Sequence, residues 1–412
     1  LPISMRTATS GKNGASFISI PQDVISSPVK ADAISLCQKP HLGVPSEQEI
    51  NEVIEAIKNS KFPVLLAGMR SSSQAETEAI RRLVQKTNLP VVETFQGAGV
   101  ISRELENHFF GRVGLFRNQV GDELLRKSDL VITIGYDPIE YEASNWNKEL
   151  DTKIINVDEE HAEITNYMQP VKELIGNIAG TIDMISEHVN EPFINQDHLD
   201  ELEKLRGEIT EATGIKATHK EGVMHPVEII ETMQKVLTDD TTVTVDVGSH
   251  YIWMARKYRS YNPRHLLFSN GMQTLGVALP WAISAALVRP NTQVVSVAGD
   301  GGFLFSGQEL ETAVRKNLNI IQLIWNDGRY NMVEFQEEMK YKRSSGVEFG
   351  PVDYVKYAES FGAKGLRVTN QEELEAALKE GYETDGPVLI DIPVNYADNV
   401  KLSTNMLPNA LN

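Results

Sequence analysis

Apolar residues along this chain gather into short, nearly unbroken runs separated by longer stretches of helical periodicity. Eight runs stand out: 63–68, 89–94, 130–135 and 153–157 in the first half, and 242–247, 294–298, 320–325 and 388–393 in the second. They are rich in Val, Ile and Leu and do not alternate apolar with polar, the pattern of strands buried on both faces. Amphipathic segments between them predict helices over 47–59, from Ser73 to near Asn88, and near 118–128. The second half predicts helices over 226–238, 274–288, 307–317, 352–361 and 371–380. Ser46 with Glu49, Ser73 with Glu76 and Ser306 with Glu309 have the spacing of capping boxes. The alternation predicts an α/β fold of two doubly wound parallel-sheet domains.

The expected boundaries are 46–185 and 225–412, joined by a charged linker, 186–224, carrying an exposed helix. Residues 1–45 break the pattern. Phe17–Ile20 reads as one short strand stopped by Pro21, and 31–45 as a linker holding Pro40 and Pro45. A lone strand cannot bury both faces, so 1–30 is expected to be the C-terminal end of a truncated α/β domain. An edge strand added to the next domain is the alternative.

Charge changes the picture. Lys and Arg total 39 against 57 Asp and Glu in 412 residues, a formal net charge of -18. That balance argues against nucleic acid and against anionic membranes, and it means an anionic ligand needs a local cation or backbone donors. A single cysteine, Cys37, excludes a disulfide framework and a thiolate cluster and fits a reducing, cytoplasmic setting. No apolar run approaches the roughly 18 residues needed to span a bilayer.

The chemistry concentrates near residue 300. The run 294–298 enters Gly299-Asp300-Gly301-Gly302, a strand-to-helix turn whose glycines let backbone N–H groups approach an anion. Asp327 follows Asp300 by 27 positions, after the run 320–325, so one βαβ unit brings both carboxylates to the ligand-binding edge of the sheet. Two such acids would repel each other and any phosphate. A divalent hard cation between them resolves the conflict, and Mg²⁺ favours one or two carboxylates, a carbonyl and phosphate oxygens.

Gly-Asp-Gly followed at this distance by Asn326-Asp327 resembles the thiamine-diphosphate motif of the pyruvate decarboxylase superfamily. The resemblance implies metal ligation by Asp300, Asp327 and the backbone carbonyl of Arg329, with Asn326 the alternative to Asp327. Asp at 327 departs from the Asn frequent there. The stretch 247–253 resembles the segment that contacts the diphosphate, implying Ser249 and His250. The stretch 269–276 resembles the segment that grips the aminopyrimidine: Leu275 would wedge the cofactor into its bent shape, and the Gln273 carbonyl would accept from its amino group. Tyr330, Met332, Val333 and Gln336 resemble the motif over the substrate pocket. Gln336 stands where biosynthetic acetohydroxyacid synthases carry Trp, which resembles the catabolic α-acetolactate synthases. The run 134–141 lacks the Arg-rich pattern of FAD-binding members, so FAD is not expected. Asp158 is expected to cap a helix, since no G-x-G-x-x-G precedes it.

As the resemblance implies, a central Rossmann-like domain precedes a diphosphate-binding domain, and the activity joins two pyruvates into 2-acetolactate with loss of CO₂, through a hydroxyethyl-thiamine enamine. Gln336 would orient the acceptor pyruvate. The glutamate that activates the pyrimidine has no candidate here and would come from the N-terminal domain of a partner in a homodimer or homotetramer. This stretch alone is therefore expected not to turn over. The alternatives are a pyruvate oxidase, a simple 2-keto-acid decarboxylase, or a non-catalytic binding module.

Overall fold

The computed structural model describes residues 2–32, 41–115 and 119–404; Cys37 lies outside them. Two six-stranded sheets, each parallel throughout, form the framework. The first contains β1 (Pro63–Ala67), β2 (Val91–Thr94), β3 (Phe109–Val113), β4 (Leu130–Ile134), β5 (Lys153–Asp158) and β6 (Lys172–Ile175), ordered β3-β2-β1-β4-β5-β6. The second contains β7 (Thr242–Val245), β8 (Leu266–Phe268), β9 (Val294–Gly299), β10 (Ile320–Asn326), β11 (Lys364–Arg367) and β12 (Val388–Pro393), ordered β11-β12-β10-β9-β7-β8. The first is the order of dinucleotide-binding sheets.

Burial explains the unbroken apolar runs. Along β1, Leu65 and Ala67 enter one apolar layer while Val64 and Leu66 enter the layer on the opposite face. Along β9, Val295 and Val297 face one layer and Val294 and Ala298 the other. Successive side chains point to opposite faces, and helices cover both, so every position must be apolar.

Several expectations are corrected. Phe17–Ile20 forms no strand, and Phe17 is 91% exposed; without a neighbouring chain to bond, β-propensity produces no ladder. The Ser46–Glu49 capping box forms, but Ser73 and Ser306 make no side-chain cap. The helix expected from 274 begins at Ala278. The linker helix Gln196–Thr213 is not simply exposed. Its Leu202 is buried in the first unit's core beside Leu199 and Leu205, and Arg206 donates to the Phe109 carbonyl. Asp158 caps no helix; it accepts Arg70 Nε at 2.8 Å and Nη2 at 2.6 Å.

The units are stapled together beneath the second sheet's ligand edge. Arg112 on β3 is buried, pairs with Glu93 at 3.2 Å, and donates to the carbonyls of Ala255 and Tyr258. A guanidinium there satisfies the C-terminal carbonyls of the helix Ser249–Lys257 and complements its dipole. That helix starts in the site.

Candidate active site

Strands β7, β9 and β10 are neighbours ending at one edge. The chain leaves β7 toward β8 on one side and returns to β9 on the other, so the strand order reverses between β7 and β9. Open α/β sheets leave a crevice at such a point. A cavity of about 260 Å³ occupies it. Ser249 and His250 line it from the end of β7, Gln273 and Leu275 from the loop after β8, and Gly299, Asp300, Gly301 and Gly302 from the β9 turn. Asp327, Arg329 and Tyr330 enter from the β10 turn. On the helix Asn331–Tyr341, Met332 and Val333 lie four and three positions before Gln336, so both neighbour it on the side that lines the cavity. Every site residue singled out from sequence lines this one cavity except Asn326, the alternative to Asp327.

The turn needs its glycines for closeness. A Cβ on Gly301 would stand 2.6 Å from the Tyr330 ring, and one on Gly302 would stand 2.9 Å from Asp246 Oδ1. Gly248, with φ of +157°, would place a Cβ 2.7 Å from the His250 ring. The cradle is therefore shaped by backbone.

Asp300 is 1% exposed. Its Oδ2 accepts the Asp327 N–H at 3.0 Å and the Gly328 N–H at 2.5 Å, and Oδ1 accepts the Gly301 N–H. Burial nevertheless pushes its carboxyl up to about 6. Asp327 rises to about 7 through burial and then through the Asp300 charge, against a hydrogen bond from Asn331 Nδ2 at 2.8 Å. Like charges held this close protonate in preference to coexisting, and a cation would let both ionise. Asn326 turns elsewhere, donating to Asp391 Oδ1 on β12 at 2.8 Å. The backbone bridge Arg329–Glu348 uses the Tyr330 N–H and the Gly328 carbonyl, so it does not consume the Arg329 carbonyl. Among the described residues, no group of three or more His, Cys, Asp or Glu is arranged around a metal. Two acids, a carbonyl and ligand oxygens suit Mg²⁺ with a phosphate, and not a closed protein cage.

Two residues singled out near the diphosphate line the cavity and also have protein partners of their own. Ser249 Oγ donates to Asn331 Oδ1 at 2.8 Å, so its proton is spent. His250 is buried, its ring lowered by that burial to about 3, and bonded to the Asp246 backbone. Its Nε2 has no partner. A neutral imidazole has one donor and one acceptor nitrogen, so the unpartnered Nε2 is open to a hydrogen-bonding group of a ligand.

Sequence reasoning missed Asp246 at the end of β7. Its Oδ1 accepts the Gly276 N–H at 3.0 Å and its Oδ2 the Ala278 N–H at 3.0 Å. This distant carboxylate starts the helix Ala278–Val288 and holds Leu275 in the loop ahead of it. Asn331 and Asn399 were also missed. An aspartate just before the Gly248-Ser249 turn was the available signal for the first; the asparagines carry none.

Residues 50–185 match the central domain of thiamine pyrophosphate enzymes, and residues 246–392 match their C-terminal TPP binding domain. The chain is 47% identical over 405 residues to an acetolactate synthase of Bacillus subtilis (strain 168), covering 98% of this chain and 71% of that one. It is 42% identical over 401 residues to a catabolic acetolactate synthase of Raoultella terrigena, covering 96% and 71%. A chloroplastic acetolactate synthase of Nicotiana tabacum is 28% identical over 420 residues, covering 95% and 61%. The chain belongs to the acetolactate synthase family of thiamine pyrophosphate enzymes. No helix among the described residues is long and apolar enough to cross a membrane.

Proposed function

We propose that this chain carries out acetolactate synthesis, condensing two pyruvates into 2-acetolactate with release of CO₂. The observation that carries the reading is the meeting of Asp300, Asp327, Leu275 and Gln336 around one cavity at the β7/β9 reversal. Residues 46–185 are assigned as the central domain and 225–412 as the diphosphate-binding domain.

Asp300, Asp327 and the Arg329 carbonyl would hold Mg²⁺, which in turn neutralises a diphosphate in a chain of net charge -18. Thiamine diphosphate, when bound, supplies the electron sink for cleaving the keto acid's carboxylate. Leu275 would support the cofactor's bent shape, its loop anchored through the Gly276 N–H on Asp246. His250 Nε2, which has no protein partner, is open to a hydrogen-bonding group of the ligand. Gln336 is a neutral amide, so it can donate to an acceptor pyruvate without repelling it. The pyrimidine-activating glutamate would come from the N-terminal pyrimidine-binding domain of a partner subunit, which makes the working unit at least a dimer. We infer a cytoplasmic enzyme without flavin. The end of β1 in the first sheet is filled by Arg70, paired with Asp158 at 2.6 Å and Asp137 at 3.3 Å, and the Met69 N–H is spent on Glu140.

A form of the enzyme that supplies the activating glutamate, given pyruvate, thiamine diphosphate and Mg²⁺, is expected to yield a product that becomes acetoin on acid treatment. Acetaldehyde as the sole product would overturn the reading in favour of a decarboxylase, and a bound flavin spectrum in favour of an oxidase.

A further inference from the structure

One hydrogen-bonded chain joins the C-terminal segment to the candidate metal loop. The Trp253 indole N–H donates to Asn399 Oδ1 at 2.7 Å. Asn399 Nδ2 donates to Ser249 Oγ at 2.8 Å and to Asn331 Oδ1 at 2.5 Å. Ser249 Oγ donates to the same Asn331 Oδ1, and Asn331 Nδ2 donates to Asp327 Oδ2 at 2.8 Å. Trp253, Ser249 and Asn399 are all buried, at 0%, 3% and 2% exposure.

The polarity of this chain is determined at its far end. An indole nitrogen only donates, so it must face the oxygen of the Asn399 amide. That turns the Asn399 NH₂ toward Ser249 and Asn331, which in turn requires the Asn331 oxygen to face them both. The Asn331 NH₂ is then left pointing at Asp327. Flipping Asn331 would set NH₂ against the Asn399 NH₂ and its carbonyl against the Asp327 carboxylate; flipping Asn399 would set its NH₂ against the indole N–H and its carbonyl against that of Asn331. The arrangement spans sequence separations of 146, 68 and 4 residues, so no local preference produces it.

We infer that Asn399 is a positioning residue for Asp327, acting through the Asn331 amide and oriented by Trp253. The inference rests on the proposed reading of Asp327 as a Mg²⁺ ligand. A donor aimed at one carboxylate oxygen fixes the carboxylate plane and leaves the other oxygen for a cation, as partners behind a metal ligand do elsewhere. Packing of the segment around Asn399 and filling of the metal loop thus favour each other. The Asn399–Thr404 helix is expected to be better protected when the cation is bound.

Calorimetric titration of Mg²⁺ in saturating thiamine diphosphate tests this. The unchanged protein should bind; failure to bind would overturn the metal-site reading, and this inference with it. Asn399→Asp places an acceptor against the Asn331 oxygen and should raise the Mg²⁺ dissociation constant at least tenfold. Trp253→Phe keeps an aromatic ring and removes the orienting donor together with part of the buried indole, so denaturant unfolding of both variants is measured beside the titration to separate a folding defect from a lost donor. It should raise the constant three- to tenfold. Hydrogen exchange at 399–404 should slow on Mg²⁺ addition in the unchanged protein and lose that response in both variants. A normal Mg²⁺ constant in Trp253→Phe, with the unchanged protein binding, overturns the positioning role.

Discussion

Gln336 shows how a single side chain carries a specificity claim. It is exposed, lines the cavity, and shares a helix face with Met332 and Val333. Nothing in its packing demands glutamine, so its identity is free to follow chemistry. Replacing it with serine should spare the first decarboxylation and depress the joining step. In a form that turns over pyruvate, the ratio of acetaldehyde to acetolactate should rise several-fold; an unmoved ratio would remove Gln336 from acceptor binding. Its candidacy was readable from position after the Asn326-Asp327 pair. The commitments of Ser249 and His250 were not, because each depends on atoms far away in the chain: Asn331 and Asn399 for the hydroxyl, and burial for the imidazole.

The strands divide cleanly by position in the sheet. The eight apolar runs in the sequence are β1, β2, β4, β5, β7, β9, β10 and β12, the inner strands of both sheets. The four missed are β3, β6, β8 and β11, and each lies at an edge. Edge strands have incomplete burial, as Lys172–Ile175 and Lys364–Arg367 show, and so lack the unbroken apolar signal. The helix Ala278–Val288 was legible in type but misplaced at its start. Its entry is decided by Asp246, 30 and 32 residues away from the amides it accepts. Asp246→Ala leaves the Gly276 and Ala278 N–H groups buried and unpaired, a cost of about 2–4 kcal/mol. Their hydrogen exchange should accelerate about a hundredfold or more, while Asp246→Asn, which keeps one acceptor oxygen, should lose less. Equal exchange in all three proteins would refute this anchoring.

Across the whole molecule, Glu140 links the two units. Its carboxylate accepts the Met69 N–H and the Thr94 hydroxyl, both at 2.8 Å, and its carbonyl accepts Asn270 Nδ2 from the loop that carries Leu275. Burial is the main cause that raises its carboxyl to about 7. The folded state therefore binds a proton more tightly than the unfolded chain. The stabilisation it brings is complete below the ordinary glutamate value and is lost as pH rises through about 7, on the order of 3 kcal/mol in total. Glu140→Gln should hold stability flatter between pH 5 and 8 by about one proton's worth, measured by denaturant unfolding without metal. A variant with the parent's pH slope would show that Glu140 ionises freely in the fold. Asp300 and Asp327 shift in the same direction, so added Mg²⁺ should flatten the remaining slope by binding their ionised forms.

The sequence by itself determined the inner strands, the α/β class, the two carboxylates at neighbouring strand ends and the residues that surround them. These follow from burial on both faces of a parallel sheet, and from the glycine turns that leave it. Tertiary structure alone decided the edge strands, the start of the helix behind Leu275, the docking of the Gln196–Thr213 helix and the direction of the Trp253–Asn399–Asn331–Asp327 chain. The physical reason is range. Periodicity and turn chemistry act over a few residues and are written where they act. Edge pairing, distant capping and amide polarity depend on partners that only folding brings within about 3 Å.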